Sequence, residues 1–460
     1  MSVTSRVEKV EDPKLLQQPY FHGLLPRHDI ILLLQRAGDY LVRTTEPTAG
    51  KHRAYVISIM VDPTKKKNGI KHYLLSCKRG QFYIDNPDKG FPSVVDIIHH
   101  YASNKETISI QNPNSFLKTP ILRQGWELQH EHIVITKKLG EGAFGEVSLG
   151  KWSNPSTKEE VPVAIKQAKL EALTKDQIKE IMTEARFMRM FDHPNMTRLH
   201  GVAALQEPLM LVMEFCNHGA LDSYLQKNTS LSMKEKTVMV VQAAFGLEYM
   251  HGLNLIHRDV AARNCLYGDD KIKIADFGLT REGPMFKMSM DKKVPIRWLA
   301  PETLKGGIYY YKSDVWSYGI LCWEVYHNGS DPYPGMTIAE VNRAVRQGYR
   351  MEFKDAPSDI VAMIKKHCWV EFEDKRWNMS DVVSFLQESS PHAQPKPDAK
   401  GQKIIFKNSN PNKQSLMNTP TVYNDNATTV SKLPTADDDD NGTKAKGSKK
   451  KKEKVDKKAQ

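Results

Sequence analysis

The chain has 460 residues, of which 40% are hydrophobic and 26% are charged, and its formal net charge is +12. These proportions are typical of a soluble globular protein with room for two or three domains. The sequence contains no apolar run of about 18 residues, which argues against a membrane-spanning helix. Its five cysteines are scattered, which argues against a disulfide framework or a zinc site and favours a cytoplasmic protein.

Residues 1–18 are polar and are predicted to form a flexible arm, and residues 19–104 show the pattern of a small α+β domain. The apolar residues of segment 27–37 fall on one side of a predicted helix. Strand-like runs follow at residues 40–43, 54–61, 71–75 and 81–84. A second helix is predicted to begin after Ser93, whose hydroxyl suits the capping position.

Arg43 follows the apolar run Tyr40-Leu41-Val42 and is the first candidate for a binding residue. A guanidinium group is costly to bury unless an anion meets it, and its planar fork suits a phosphate. An internal carboxylate in an unrelated α+β domain is the alternative partner.

The order of Tyr20-Phe21-His22-Gly23, Arg27, Arg43 and His72-Tyr73 resembles an SH2 domain, which has a central antiparallel sheet flanked by two helices. The resemblance implies that Arg43 forms the floor of a phosphotyrosine pocket whose other residues are Arg27, Thr45 and His72. Proteins that carry phosphotyrosine are therefore the partners expected for this domain.

Residues 105–132 are predicted to be a linker, and residues 133–388 form a second predicted domain with about five strands up to Met213 and mostly helices after it. The stretch Gly140-Glu141-Gly142-Ala143-Phe144-Gly145 would let backbone N–H groups approach a phosphate. It precedes Val163-Ala164-Ile165-Lys166, in which a lysine ends an apolar strand. This order favours contact of Lys166 with nucleotide phosphates over a simple exposed lysine.

A further signal is the stretch His257-Arg258-Asp259-Val260-Ala261-Ala262-Arg263-Asn264, followed by Asp276-Phe277-Gly278. An acid and an amide five positions apart, with a second acid on an apolar strand, can hold metal ions and a hydroxyl nucleophile beside a triphosphate. Phosphoryl transfer depends mostly on such positioning and charge neutralisation, so the pattern indicates a phosphotransferase.

These motifs resemble the bilobal protein-kinase fold, and the Ala-Ala-Arg insert at 261–263 resembles its tyrosine-specific branch. The order of an SH2 domain and then a kinase domain resembles the Fes/Fer subfamily of non-receptor tyrosine kinases. The resemblance implies ATP and Mg²⁺ as cofactors, and tyrosine-containing proteins as substrates of a monomeric enzyme.

The same resemblance implies the roles of individual residues. Asp259 would be the catalytic base and would act together with Arg263, Lys166 and Glu184. Asn264 and Asp276 would hold the metal. The nucleotide-binding residues that it implies are Leu139, Gly140, Glu141, Gly142, Ala143, Phe144, Gly145, Val147, Ala164, Lys166, Met213, Glu214 and Cys216.

A different class of function is the alternative, a weakly active or silent kinase fold that serves as a phosphotyrosine-binding scaffold. The polar residues expected of an active enzyme are nevertheless all present, which favours catalysis: Lys166, Glu184, Asp259, Asn264 and Asp276. The substitution Asp259→Asn would separate the two hypotheses, since only a scaffold would keep its role.

The segment between Asp276 and Glu302 lacks the tyrosine that tyrosine kinases usually carry there, and Phe286 stands in its place. We predict that this loop is ordered without tyrosine phosphorylation and that packing of Phe286 partly substitutes for the phosphate. Phosphorylation of Ser289 and a low activity are the alternatives.

The excess positive charge lies in residues 389–460, which contain fifteen lysines against eight acidic residues. Nine of these lysines lie in residues 444–458. The composition of this tail predicts disorder, and its position argues against nucleic-acid binding by the folded part. The lysines favour either a weak contact with an anionic membrane, peripheral at the plasma membrane, or a solvated tail or nuclear signal.

Overall fold

A computed structural model of the chain describes residues 12–46, 53–142, 145–168, 173–289 and 294–390. Three predictions lie outside these ranges: most of the flexible arm, the nucleotide-binding residues Ala143 and Phe144, and nearly all of the disordered tail. Within the described ranges, no helix is both long and apolar enough to cross a membrane.

The first domain is an α+β unit with a central antiparallel sheet, as predicted. Its elements are α1 (Pro13–Leu16), α2 (Arg27–Ile30), β1 (Asp39–Thr45), β2 (Ala54–Met60), β3 (Ile70–Leu74), β4 (Ser76–Lys78), β5 (Gln81–Tyr83) and α3 (Val94–Ser103). Strand β2 lies between β1 and β3 and is antiparallel to both. Val42 and Ile57 of the sheet share one core with Ile97 of α3. Helix α3 begins where predicted, because the hydroxyl of Ser93 accepts the Asp96 N–H at 3.1 Å.

The first predicted helix, segment 27–37, is too long, because α2 ends at Ile30. The carboxylate of Asp39 accepts the backbone N–H groups of Gln35 and Arg36 at 3.0 and 2.8 Å. This local bonding competes with the helical pattern and turns the chain into β1. Side-chain capping of that kind is invisible to apolar periodicity, which explains the error.

The predicted linker, residues 105–132, contributes to the packing of the first domain. It contains the hairpin β6 (Thr107–Ser109) and β7 (Asn112–Phe116), and β8 (Thr119–Pro120), which pairs in parallel with β1. Ile108 and Leu117 are buried in the same core as α3. The packed unit therefore continues past the predicted boundary at residue 104, which was drawn where the second helix ends.

The second domain begins with an antiparallel sheet and one long helix. Its elements are β9 (Ile133–Gly142), β10 (Gly145–Ser153), β11 (Glu160–Gln167), α4 (Lys175–Met188), β12 (Leu199–Ala203) and β13 (Met210–Glu214). In the described residues these strands form one sheet in the order β12-β13-β11-β10-β9. Helix α4 begins at a capping box in which Thr174 and Gln177 exchange hydrogen bonds.

The rest of the second domain is mostly helical, as predicted. Its elements are β14 (Gly219–Ala220), α5 (Leu221–Lys227), α6 (Met233–Gly252), β15 (Leu255–Ile256), β16 (Cys265–Gly268), β17 (Lys271–Ile274), β18 (Arg281–Glu282), β19 (Met285–Lys287), α7 (Pro301–Gly306), β20 (Ile308–Tyr310), α8 (Tyr311–Tyr326), α9 (Ile338–Arg346), α10 (Ser358–Met363) and α11 (Met379–Ser389). Helices α6 and α8 supply much of its core. Arg376 is buried and pairs with Glu302 at 3.0 Å.

The two domains share a buried contact that the sequence did not reveal. Leu24 and Ile30 of the first domain belong to one apolar cluster with Ile178, Ile181 and Met182 of α4. Asp29 lies in the same contact, where its carboxylate accepts hydrogen bonds from Arg186 at 3.0 and 3.2 Å and from Arg189 at 3.3 Å. The first domain is therefore anchored on α4 by both apolar packing and charge.

Candidate active site

The predicted phosphate-binding loop connects β9 and β10, which places Leu139, Gly140 and Glu141 on one strand and Val147 on the next. Gly145, at the start of β10, has a φ of +147°, and a Cβ there would lie 2.0 Å from the carbonyl oxygen of Gln167. Only glycine fits this close approach to β11. Gly145 therefore lies close to β11, the strand that carries Ala164 and Lys166.

Lys166 connects three separate elements at the centre of the site. Its Nζ lies 2.8 Å from both carboxylate oxygens of Glu184 on α4 and 3.9 Å from Oδ1 of Asp276. Burial raises the pKa of Glu184, while the charge of Lys166 acts in the opposite direction. The pair holds an ammonium group near the end of β11, where Lys166 lies opposite Val147 of β10.

Residues 257–264 form the catalytic loop. It is held by Asp314 of α8, whose carboxylate accepts the backbone N–H groups of His257 and Arg258 at 2.7 and 2.9 Å. Nε2 of His257 faces the carbonyl oxygen of Ala275 at 3.1 Å, and its Nδ1 accepts the N–H of Asp259 at 3.2 Å. Because a carbonyl oxygen can only accept and Nδ1 already accepts, the ring proton of neutral His257 lies on Nε2. His257 therefore supports the loop, and both of its ring nitrogens are used for that purpose.

The carboxylate of Asp259 is oriented by two neighbours from its own loop. Arg263 donates to Oδ1, and Nδ2 of Asn264 donates to Oδ2 at 2.7 Å and to the backbone carbonyl at 2.8 Å. The guanidinium of Arg263 also stacks over the ring of Trp298 at 4.2 Å. The predicted base is thus fixed in position and partly neutralised.

The predicted metal ligands provide oxygen donors suited to a hard divalent cation. The two hydrogen bonds that the Asn264 side chain makes to Asp259 use its amide N–H groups, which leaves its carboxamide oxygen as a ligand. The carboxylate of Asp276 is about half exposed, and its backbone φ is +57°. Such an uncommon conformation is often found at active sites, where packing compensates its cost. The residues present therefore fit a hard divalent cation.

The predicted adenine-binding segment continues from β13, which contains Met213 and Glu214, to buried Cys216. The N–H of Glu214 donates to the Arg198 carbonyl at 3.0 Å, and its side chain pairs with Lys273 at 2.9 Å. The carbonyl group of Glu214 is therefore the backbone group that this residue can offer to an adenine.

The predicted phosphotyrosine pocket contains a buried cation. Arg43 is 2% exposed, and among the described residues its Nη2 has no hydrogen-bond partner. Burial, and then the charge of Arg27, lower the pKa of Arg43 to about 10. Burial together with Arg43 and Arg27 also lowers the pKa of His72 to about 3. An anion bound in this pocket would offset the cost of burying the Arg43 charge and would raise the pKa values of both Arg43 and His72.

Ser58 is a pocket residue that sequence reasoning missed. Its hydroxyl lies 3.4 Å from Nε of Arg43 and 3.0 Å from Nδ1 of His72, so it connects the two predicted residues. The register of β2 and β3, which pairs Ser58 with His72, would have indicated it. The predicted residue Thr45 ends β1 and is partly exposed.

The residues that flank β1 and β2 are also bonded to the start of α4 and to the segment before it. Glu46, the residue after β1, accepts the backbone N–H of Lys175 at 3.0 Å. Arg53, just before β2, donates to the carbonyl of Leu173 at 2.8 Å and to Glu207 at 2.6 Å. Burial, then Arg27 and Arg43, lower the pKa of Lys175, which places the first turn of α4 within the field of the pocket.

Glu324 of α8 is a second residue that the motifs did not indicate. Its Oε2 accepts the backbone N–H of Ala262 and the ring N–H of Trp298, each at 3.0 Å. Burial raises the pKa of Glu324 to about 7. This carboxyl group joins the catalytic loop to the segment that precedes α7.

Comparisons with known proteins agree with both domains. The pattern of the SH2 domain matches residues 20–101, and the pattern described as protein tyrosine and serine/threonine kinase matches residues 133–386. Fer-related kinase 1 of Caenorhabditis elegans is 37% identical over 374 residues, which are 80% of this chain and 93% of that protein. Spermatocyte protein spe-8 of the same organism is 37% identical over 381 residues, 81% of this chain and 72% of its own length. Tyrosine-protein kinase Fer of Homo sapiens is 34% identical over 395 residues, which are 84% of this chain but 45% of the human protein.

Proposed function

We propose the following roles because this chain belongs to the Fer and Fes group of SH2-containing tyrosine kinases and is a non-receptor protein-tyrosine kinase. The observation that supports them best is that Lys166 meets Glu184 and Asp276 from three elements. Asn264, which donates to Asp259, accepts the backbone N–H of Ala275, next to Asp276, at 2.9 Å. The kinase family uses ATP and a divalent metal, and we propose Mg²⁺ for this chain.

In the proposed reaction, Asp259 accepts the proton of the substrate tyrosine hydroxyl. The oxygen forms a bond to the γ-phosphorus of ATP while the bond between that phosphorus and the β,γ-bridging oxygen breaks, so ADP leaves with the electron pair. Lys166 neutralises charge on the α- and β-phosphates and is held for this by Glu184. Asn264 and Asp276 would hold Mg²⁺, which neutralises charge on the phosphates when bound. Arg263 orients Asp259.

A peptide array incubated with the purified chain and MgATP tests the activity. We expect phosphate on tyrosine alone, and we expect Asp259→Asn to lower kcat by roughly 10²- to 10⁴-fold while ATP still binds. Asp269→Asn is a matched control, since Asp269 is exposed in the turn between β16 and β17. Wild-type chain that transfers no phosphate, or Asp259→Asn that keeps full activity, would contradict the proposed roles. Omitting Mg²⁺ tests the metal, since activity should vanish in a chelator and return with Mg²⁺.

We further propose that the SH2 domain docks on phosphotyrosine proteins and holds the kinase near substrates that already carry one phosphate. A linked docking site raises the local concentration of nearby tyrosines and favours repeated phosphorylation of one protein. Substrates with one prior phosphotyrosine should therefore react faster than the same substrates without it. Equal rates would argue against docking of this kind.

We propose that the chain is a cytoplasmic monomer and that residues 444–460 give weak contact with anionic membranes at the plasma membrane. Nine lysines in this segment support the contact, because each can contribute about 1 kcal/mol near an anionic leaflet. Co-sedimentation with phosphatidylserine vesicles, with and without these residues, tests it. Equal pelleting of the chain with and without these residues would contradict the membrane proposal. Light scattering in solution tests the monomer, since a dimer would have twice the mass.

A further inference from the structure

The segment that follows Asp276 is paired with its neighbours on both sides of Phe286. Strand β18 pairs with β15, which leads into the catalytic loop, and β19 pairs with β20. Beyond β19, the N–H of Met288 donates to the Gly307 carbonyl at 2.8 Å. The described part of this segment is therefore held in place by backbone hydrogen bonds, and the sequence contains no tyrosine between Asp276 and Glu302.

Phe286 is buried at the centre of this arrangement, with 6% of its surface exposed, although its neighbour Met285 is 51% exposed. It lies opposite Tyr309 in the register of β19 and β20. Alternation along a strand explains the contrast, because successive side chains face opposite sides. The buried side is the one occupied by two arginines.

The ring of Phe286 lies against both guanidinium groups. The Cζ atom of Arg258 is 4.1 Å from its centroid and 4.5 Å from that of Tyr309, and Cζ of Arg281 is 5.3 Å from the ring of Phe286. At these distances a guanidinium group is attracted by the face of an aromatic ring. Two buried or half-buried cations thus share one aromatic partner in a position where two arginines could otherwise hold a phosphate.

Arg258 couples its contact with Phe286 to the position of Asp259, because it directly precedes Asp259 in the chain. Its backbone φ is +73°, its N–H donates to Asp314, and its Nη1 donates to the Leu279 carbonyl at 3.0 Å. One side chain therefore joins the catalytic loop to the segment after Asp276. If Arg258 lost the ring of Phe286, its hold on both the catalytic loop and this segment would weaken.

We propose that Phe286 is a positioning residue that acts through Arg258 on Asp259, so that this kinase reaches its active arrangement without phosphorylation of the segment 276–302. The aromatic face supplies the orienting contact that an added phosphate would otherwise supply. The proposal rests on the tyrosine kinase activity and adds to it a statement about regulation. The aromatic ring of Phe286 is required, and an aliphatic side chain of similar volume would not replace it.

The test uses the full chain, prepared together with a phosphatase and verified by intact mass to carry no phosphate. Initial rates are measured with a tyrosine peptide at varied ATP and peptide concentrations. We expect wild-type progress curves without a lag, and a kcat that autophosphorylation does not change. Ser289→Ala should behave as wild type, which separates the proposal from phosphorylation of Ser289.

Two substitutions separate the ring from its volume. Phe286→Leu keeps an apolar side chain but loses the aromatic face, and it should lower kcat by roughly tenfold with little change in the KM for ATP. Phe286→Tyr keeps the face and should retain the wild-type kcat before any phosphorylation. Met285→Ala is the matched control on the exposed side of the same strand, and its kcat should equal that of wild type. Melting temperatures of all variants show whether a loss reflects unfolding.

Three results would overturn the proposal. The first is a lag in the wild-type curve that disappears on autophosphorylation at a residue between 276 and 302. The second is a folded Phe286→Leu variant with the wild-type kcat. The third is a folded Phe286→Tyr variant that is as slow as Phe286→Leu. A wild-type chain without any turnover would contradict the kinase activity itself, which distinguishes failure of the function from failure of this inference.

Discussion

Replacing Asp29 by alanine should weaken the attachment of the SH2 domain to α4 by about 3 kcal/mol. The Asp29 side chain is 1% exposed and pairs with Arg186 at 3.0 Å and with Arg189 at 3.3 Å. Removing one partner of a buried ion pair typically costs about 3–5 kcal/mol, because a charge stays buried without compensation. The lower end applies here, since Arg189 is 22% exposed and also stacks on Trp126 at 3.9 Å.

Hydrogen exchange of the α4 backbone amides, measured by mass spectrometry on the full chain, reports this change. If α4 opens when the domains separate, about 3 kcal/mol corresponds to exchange that is roughly 150-fold faster. Because α4 carries Glu184, the same variant should also show a lower kcat. Asp62→Ala is the matched control, an acid of the same domain whose pair with Lys65, at 3.3 Å, lies at the surface.

Wild-type exchange rates in α4 of Asp29→Ala would refute the reasoning, because the ion pairs would then contribute nothing to the contact. Equal acceleration in Asp62→Ala would refute it as well, since the effect would come from net charge. A faster exchange in α4 together with an unchanged kcat would show that the contact stabilises α4 without orienting Glu184.

Two further predictions concern buried ionisable groups. Burial raises the pKa of Glu324 to about 7, above its ordinary value of 4.5, so the stability that its protonated form contributes is complete below about pH 4.5 and is lost as the pH rises through about 7. Glu324→Gln cannot ionise, so its melting temperature should fall less than that of wild type between about pH 5 and pH 8, and equal falls would contradict this. Arg43→Met should abolish binding of a phosphotyrosine peptide in calorimetry and should raise the melting temperature of the free chain, because a guanidinium group without an anion is costly to bury. A lower melting temperature would show that Arg43 is satisfied without phosphate.

The kinase chemistry could be predicted from the sequence because it depends on residues close together in the chain. The spacing of Asp259, Arg263 and Asn264 places three polar groups on one loop, and the structure shows them bonded to one another. The pairs of Lys166 with Glu184 and of Glu302 with Arg376 join distant segments. No periodicity or spacing in the sequence would have given those two pairs.

The apolar pattern alone predicted the ends of helices and domains less accurately. It overextended the helix that ends at Ile30, since the pattern does not record that the Asp39 carboxylate accepts the backbone N–H groups of Gln35 and Arg36. It also placed the end of the first domain before Ile108 and Leu117, which return to its core. In both cases a tertiary or capping contact outweighed a local preference.

The sequence by itself therefore determined the order of the domains, the reaction class and the side chains of the catalytic loop, because short motifs place chemical groups at fixed chain spacings. Only the tertiary structure decided that Asp29 meets Arg186, 157 residues away, and that the ring of Phe286 lies against two arginines. These contacts depend on how completed helices and strands pack, and burial of charge makes them energetically important. The spacing of residues within short motifs does not determine this packing, because the contacts join segments that are far apart in the chain.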